Sequence, residues 1–491
     1  MAEAVAGRDA TGAIRRAQGE RRLAGGPVPL GAMVAGAAAL YAAYSLLRLR
    51  TFRASTYDLV IFDQAVRSYS RFGAPVALVK GVHNDFGPDF SVLGDHFSPI
   101  LALLAPLYWI HDGPATLLVA QAVLFAAAIV PVWRYARRRL GTRAAHCAAA
   151  AYALSWPIAE ALAFDFHEVA FAPLLSALMV ERYDAGRRGQ ALLAAAALLL
   201  VKEDMGLLLA GFGLFLLTRR GERRIGAGLI AAGAAAVWAS SRVLIPAFGG
   251  DADYYWAYRA LGDDVPDVLL HLVSRPWDAV TVLGTPPVKL WTMALLVLPL
   301  LLLPLRSPLT LAVLPLLAER MLASEFGNWW EPKYHYNAFL IAVLVMAAAD
   351  GAARLRPLLD RPRFRLPAAA ALLAATAATV PFFAFGDLVD PSTVRRDERA
   401  SAAAAAAARV PDGVLVESAN RIGPALSARA RVLLWDERPR GAPWVVADVE
   451  RRTFPFRSLD DQRRRVDALI ASGYREVFRA GGYVVLHRPE R

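Results

Sequence analysis

The chain has 491 residues, is 56% hydrophobic and carries a formal charge of +12. A mean hydropathy of +0.37, built from repeated Ala/Leu/Val runs, excludes a soluble domain with one large core and points to a polytopic membrane protein. The positive charge is not a nucleic-acid signature, because the excess consists largely of arginines in short segments between apolar runs, the positive-inside pattern.

Residues 1–26 are polar and basic (Arg15, Arg16, Arg21, Arg22) and too long for the charged start of a signal peptide. The apolar run 27–47 is long enough to span, so it reads as a retained first helix with a cytosolic N-terminus. Arginine clusters follow at 134–143, 182–188, 219–224 and 354–365, with Arg306 alone between two apolar runs. Placing all of these inside requires an even number of crossings between neighbours. The expected spans are 27–47, 114–133, 144–160, 169–182, 190–202, 205–218, 225–244, 288–305, 308–323, 337–350 and 366–386. The expected fold is therefore a membrane all-α domain of about 11 transmembrane helices over 27–386. The arms flanking Lys202 are each only about 18 Å of helix. A single tilted span through 191–217 is the rival, but it would put the later arginine clusters outside.

The outward segments differ in kind. The first outer loop opens with Tyr57-Asp58-Leu59 and Asp63-Gln64, where Leu59, Phe62, Val66 and Tyr69 repeat at helical spacing. This is the pattern of an amphipathic helix lying on the interface. Asp58 stands at its start, as an N-cap would. Gly94-Asp95-His96-Phe97-Ser98-Pro99 then places a carboxylate and an imidazole before an apolar run. Asp165-Phe166-His167-Glu168 fills a very short loop, Lys202-Glu203-Asp204 sits between two apolar arms, and Lys333-Tyr334-His335-Tyr336 precedes a late span. All four lysines, against 51 arginines, fall on this side. Ionisable groups beside a bilayer are costly and mark function by default. Five polar clusters at one membrane face are expected to surround a cavity, with carboxylates to take a proton and Lys and His to neutralise a phosphate. No His-x-x-x-His or Cys-x-x-Cys pair points to zinc, and a carboxylate-bound Mg²⁺ or Mn²⁺ stays open.

After Asp387 the composition is that of a soluble domain. An alanine-rich helix (Arg395 to Arg409) leads to strands near Val414–Glu417, Val432–Leu434 and Val445–Asp448, with a helix expected at Arg421–Ala428. A helix near 460–472 precedes a hairpin turning at Ala480-Gly481-Gly482. Residues 387–491 are thus expected to form a small extracytoplasmic α/β domain with some parallel pairing. Without a Gly-rich phosphate fingerprint, its expected role is covering or gating.

The order Tyr57-Asp58-Leu59, Asp63-Gln64, Gly94-Asp95-His96-Phe97-Ser98-Pro99, Phe166-His167-Glu168, Lys202-Glu203-Asp204 and Tyr334-His335-Tyr336 resembles the GT-C superfamily of integral-membrane glycosyltransferases. Within it, the chain looks most like a large uncharacterised bacterial membrane-protein family. The resemblance implies a polyprenyl-phosphate-sugar donor taken from the outer leaflet of a bacterial cytoplasmic membrane, and inverting transfer to an envelope glycan, lipid or protein. Asp58 matches the family's general base, with Asp95 and His96 beside it. Lys202, Lys333 and His335 match donor-phosphate contacts, and Asp63, His167, Glu168, Glu203 and Asp204 are acceptor-side or supporting groups. The sequence departs from relatives with paired acids at the base position, since Asp58 is followed by Leu59. A transporter or flippase of a lipid-linked or small anionic substrate is the alternative. It would place ionisable groups on broken helices in repeated halves, and no second segment matches the Lys202 region.

Overall fold

The computed structural model describes residues 27–355 and 365–489, so the basic segment 1–26 and most of the last arginine cluster lie outside the described residues. Helix α1 (Pro27–Arg50) is apolar and ends in Arg48 and Arg50. A single π-turn, Thr56–Val60, runs directly into α2 (Ile61–Ser70). The amphipathic stripe of that segment is packed inward, with Leu59, Phe62 and Val66 buried. Helix α3 (Leu78–His83) and a 3₁₀ run, Pro99–Trp109, complete the segment before the next apolar helix.

The bundle continues through α4 (Pro114–Ala127), α5 (Ile129–Leu140), α6 (Thr142–Ala153), α7 (Trp156–Ala163), α8 (Ala172–Asp184), α9 (Arg188–Leu198), α10 (Met205–Leu217) and α11 (Arg223–Ala239). Helices α10 and α11 pack closely because glycines face glycines. A Cβ on Gly213 would meet the Gly226 carbonyl at 2.5 Å, and Gly206 and Gly233 are opposed in the same way. Small residues at such positions let two membrane helices approach backbone to backbone. Beyond them come α12 (Val265–Ser274), α13 (Pro276–Gly284), α14 (Val288–Val297), α15 (Leu314–Leu322), α16 (Ala338–Arg354) and α17 (Arg365–Ala377). Helix α16 is buried continuously from Ala338 to Gly351, as a helix apolar on every side must be. Buried Lys289 ties α13 to the end of α15, donating to Val282 O at 2.8 Å and Ala323 O at 2.6 Å.

Among the described residues, three helices are long and apolar enough to cross a membrane: Pro29–Arg50, Pro114–Leu140 and Arg223–Ala247. The pair α13–α14, bent by 80°, would make a fourth. The other expected spans fall on shorter helices. The expected 144–160 span, for instance, is interrupted at Leu154-Ser155, where Pro157 starts a new helix because it has no N–H to continue the old one. Around Lys202, α9 ends at Leu198 and α10 begins at Met205, so the apolar stretch is two helices there and not one continuous span.

The bundle has two chemically different ends. Helices α8 and α16 start beside Glu168 and His335 and carry Asp184 and Asp350 in their last turns. At that far end Arg138 pairs with Glu181 at 2.6 Å and Asp184 at 3.0 Å, and Arg139 pairs with Asp184 at 2.5 Å. Arg138 and Arg139 are therefore at the opposite end of these helices from the His/Glu/Lys clusters.

The C-terminal part is α18 (Glu398–Ala408), α19 (Leu459–Ala471) and a five-stranded sheet of order β2-β1-β3-β5-β4. The strands are β1 (Leu415–Ser418), β2 (Arg431–Leu434), β3 (Trp444–Asp448), β4 (Arg475–Ala480) and β5 (Tyr483–His487). Strand β1 runs parallel to β2 and β3, while β5 is antiparallel to both β3 and β4. The helix expected at Arg421–Ala428 is instead one 3₁₀ turn, Gly423–Ala425. Gly423-Pro424 disfavours a longer helix, and the loop is held by bonds to Thr56 and Tyr57.

Candidate functional site

The polar clusters of these separate segments meet in one place. The π-turn presents Asp58, about a quarter exposed, with its Oδ1 3.6 Å from His167 Nε2. That distance is an electrostatic contact and too long for a hydrogen bond. Ser55 Oγ donates to Asp58 Oδ2 at 3.2 Å and, at 2.7 Å, to Asp165 Oδ2, which also accepts the Ser55 N–H at 2.7 Å. Burial pushes the Asp165 carboxyl up to about 6, although the Arg48 charge and the Ser55 bonds pull the other way.

Behind Asp58, the His167 ring lies on the His335 ring with centroids 3.8 Å apart, and Phe164 stacks against both. His335 is held well below the ordinary imidazole range by burial, then by the neighbouring His167 and Lys202. The next residue, Glu168, faces Lys202 with Oε1 at 3.7 Å from Nζ. The Lys202 ammonium lies 5.9 Å from the Tyr336 ring centroid. The Lys202 ammonium makes no hydrogen bond among the described residues.

Glu203 joins this group to the segment between α1 and α4. Its carboxylate bonds His96 Nδ1 at 2.8 Å and accepts the Phe97 N–H at 3.2 Å, while Ile100 N donates to Leu200 O at 3.1 Å. Burial and Lys202 work against charge on His96, but Glu203 and Asp95 outweigh them and raise it. Asp95 is paired elsewhere: it lies 2.8 Å from Lys80 Nζ and accepts from Tyr255 OH at 2.7 Å. Burial opposes its charge, yet the Lys80 ammonium holds its carboxyl below the usual range.

Five buried side-chain atoms here have no hydrogen-bond partner among the described residues: His167 Nδ1, His335 Nδ1, Glu168 Oε2, Asp204 Oδ1 and Glu319 Oε2. Unpaired buried polar atoms are rare in folded proteins and call for a physical reason, such as a polar ligand.

Of the residues singled out in the sequence, Asp58, His167, Glu168, His335, Lys202, Glu203 and His96 form this continuous cluster, with Asp95 at its edge and Asp204 beside Lys202. Two stand apart. Asp63 is fully buried in an ion pair with Arg67 at 2.8 Å and accepts from Tyr108 OH at 2.7 Å. Lys333 is exposed and forms no ion pair or hydrogen bond among the described residues. Among the described residues no group of three His, Cys, Asp or Glu side chains is disposed to hold a metal ion. Sequence reasoning did not single out Ser55, Lys80, Tyr255, Phe164 or Glu319. Lys80 carried one signal, being one of only four lysines.

The layout is a helical bundle, a π-turn that carries an acid, and a small terminal domain with a five-stranded sheet. The fold is shared with solved membrane-protein structures. It overlays ArnT from Cupriavidus metallidurans bound to undecaprenyl phosphate with TM-score 0.53 at 15% identity, covering 91% of this chain and 97% of that one. The apo state of the same protein overlays with TM-score 0.50 at 14% identity, over 92% and 98% of the two chains. A weaker overlap, TM-score 0.45 at 13% identity over 92% and 74%, is with the archaeal oligosaccharyltransferase AglB from Archaeoglobus fulgidus in complex with an inhibitory peptide and a dolichol-phosphate. No curated protein matches the chain. Residues 48–485 match the family described as predicted membrane protein (DUF2079), and the chain belongs to that family.

Proposed function

We propose that this protein is a glycosyltransferase of the outer face of a bacterial cytoplasmic membrane. It takes a sugar from a polyprenyl-phosphate-linked donor and transfers it, with inversion, to an envelope glycan, lipid or protein. The observation that carries this reading is the continuity from Asp58 through His167 to Glu168 and Lys202, a base and a cation within one buried cluster. The ArnT structure, whose fold this chain shares, holds undecaprenyl phosphate.

In this reading Asp58 accepts the proton of the acceptor hydroxyl as its oxygen attacks the anomeric carbon. The bond from that carbon to the phosphate oxygen breaks, and its electron pair leaves with the polyprenyl phosphate. The Lys202 ammonium offsets the charge gathering on that phosphate. His335, kept neutral by burial, and the His167 ring stacked on it line the path between the two. Asp63 and Lys333 take no part, the first being committed to Arg67 and the second standing outside the cluster. The far-end arginines would face the cytosol, and the short helices would cross the bilayer within the bundle, leaving the C-terminal domain outside.

The test is turnover of the purified protein in proteoliposomes with a panel of undecaprenyl-phosphate-linked sugars and an envelope extract as acceptor. Mass spectrometry should find released undecaprenyl phosphate together with a glycosylated product. Ion-coupled movement of the lipid-linked sugar without bond cleavage would instead mark a transporter.

A further inference from the structure

The N-terminus of the turn that carries Asp58 lacks an ordinary cap. The first N–H groups of a helix need acceptors, which a Ser at the N-cap usually provides. Here the N-cap is Ser55, but its hydroxyl is turned away to Asp165 and Asp58 and caps nothing. The acceptors come from the C-terminal domain, more than 360 residues along the chain. Asn420 O accepts the Thr56 N–H at 2.5 Å and the Thr56 hydroxyl at 2.7 Å, and Asn420 Oδ1 accepts the Tyr57 N–H at 3.0 Å.

We propose that Asn420 is a positioning residue for Asp58, so that the C-terminal domain is a working part of the transfer site and not a separate cover. The inference rests on the reading of Asp58 as base. The loop bearing Asn420 is itself fixed: Ala419 N donates to Val446 O at 2.7 Å on β3, and Gly423 N donates to Thr56 Oγ1 at 3.1 Å. Gly423 is needed for this approach, since a Cβ there would come within 2.7 Å of Thr56 Cγ2 and closer still to Thr56 Oγ1. The domain grips the rest of the loop as well. Gln64 Nε2 donates to Val432 O at 3.0 Å, His83 Nδ1 meets Asp436 Oδ2 at 3.0 Å, and Asp85 is paired with Arg438 and Arg440. With Asn420 in place, the backbone of Thr56 and Tyr57 is held, and the carboxylate one residue further is aimed toward His167.

The test uses full-length protein in proteoliposomes, with hydrogen exchange of a peptide spanning residues 55–62 and turnover of whichever undecaprenyl-phosphate sugar the wild type cleaves. Asn420→Ala should raise amide exchange of that peptide and lower kcat by about tenfold, with donor KM within about twofold. Asn420→Asp, which keeps the acceptor, should restore both. Gly423→Ala, which displaces Thr56 from the other side, should reproduce the loss and serves if Asn420→Ala does not fold. Unchanged exchange overturns the proposal, and so does faster exchange with unchanged kcat. A wild type that cleaves no donor would defeat the proposed function, while the exchange experiment would still report on the cap.

Discussion

His167 and His335 stand 168 positions apart, yet their rings stack at a centroid distance of 3.8 Å with planes 22° apart. Two stacked imidazoles cannot both carry charge cheaply, and burial keeps His335 neutral. Lys202 is the cation that faces Glu168, and Asp58, about a quarter exposed, is the carboxylate that faces His167.

Asp58→Asn should keep the fold, since Asn preserves size and an acceptor for Ser55 Oγ. Turnover should fall by about 10²–10⁴, the usual worth of a positioned base. Near-normal turnover in a folded Asp58→Asn protein would remove Asp58 from that role.

Lys202→Met should weaken the use of donor by roughly ten- to a hundredfold, the scale of a charge-assisted bond to phosphate. Lys202→Arg should recover part of it, since a guanidinium still pairs with Glu168 and with phosphate. Donor saturation curves for the three proteins decide the matter, and superimposable curves would contradict a phosphate contact.

Asp165 gives the protein a pH signature. Its carboxyl is raised to about 6 in the fold, so the native state holds this proton more tightly than the unfolded chain. Such a group stabilises fully below the unfolded value, and the contribution is lost as pH rises through about 6. The thermal midpoint in detergent should therefore drop between pH 4.5 and 7 by an amount worth on the order of 2–3 kcal/mol. Asp165→Asn, which can still accept from Ser55, should flatten that profile; an equally steep profile in the variant would assign the effect to another group.

Asp63→Ala is expected to act on stability. It breaks a buried ion pair and strands Tyr108 OH, at a cost of about 3 kcal/mol. This is the lower end for such pairs, because Arg67 keeps Asp112 at 2.6 Å. Chemical denaturation should show the loss, while turnover per folded molecule stays within about twofold of wild type. A selective collapse of turnover at unchanged stability would return Asp63 to the site.

Much of the architecture was legible before any coordinate, because the bilayer forces it. Apolar runs, arginine clusters and the polar segments between them determined a helical membrane protein with its His/Glu/Lys clusters set apart from its arginines, and alternating short runs determined a terminal sheet. The sequence also marked Asp58, His167, Glu168, Lys202, Glu203 and His335, since ionisable groups next to a membrane are costly enough to stand out one by one. Pairing was another matter. Nothing local distinguishes Asp63, neutralised by an arginine one turn away and a distant tyrosine, from Asp58, which stays open. Lys80 was visible as a rare lysine but not as the partner of Asp95, and Asn420 was visible only as part of a loop. Those assignments depend on contacts between segments tens to hundreds of residues apart, and only the tertiary structure, by bringing the chain back on itself, decides which charge is paired and which is left to act.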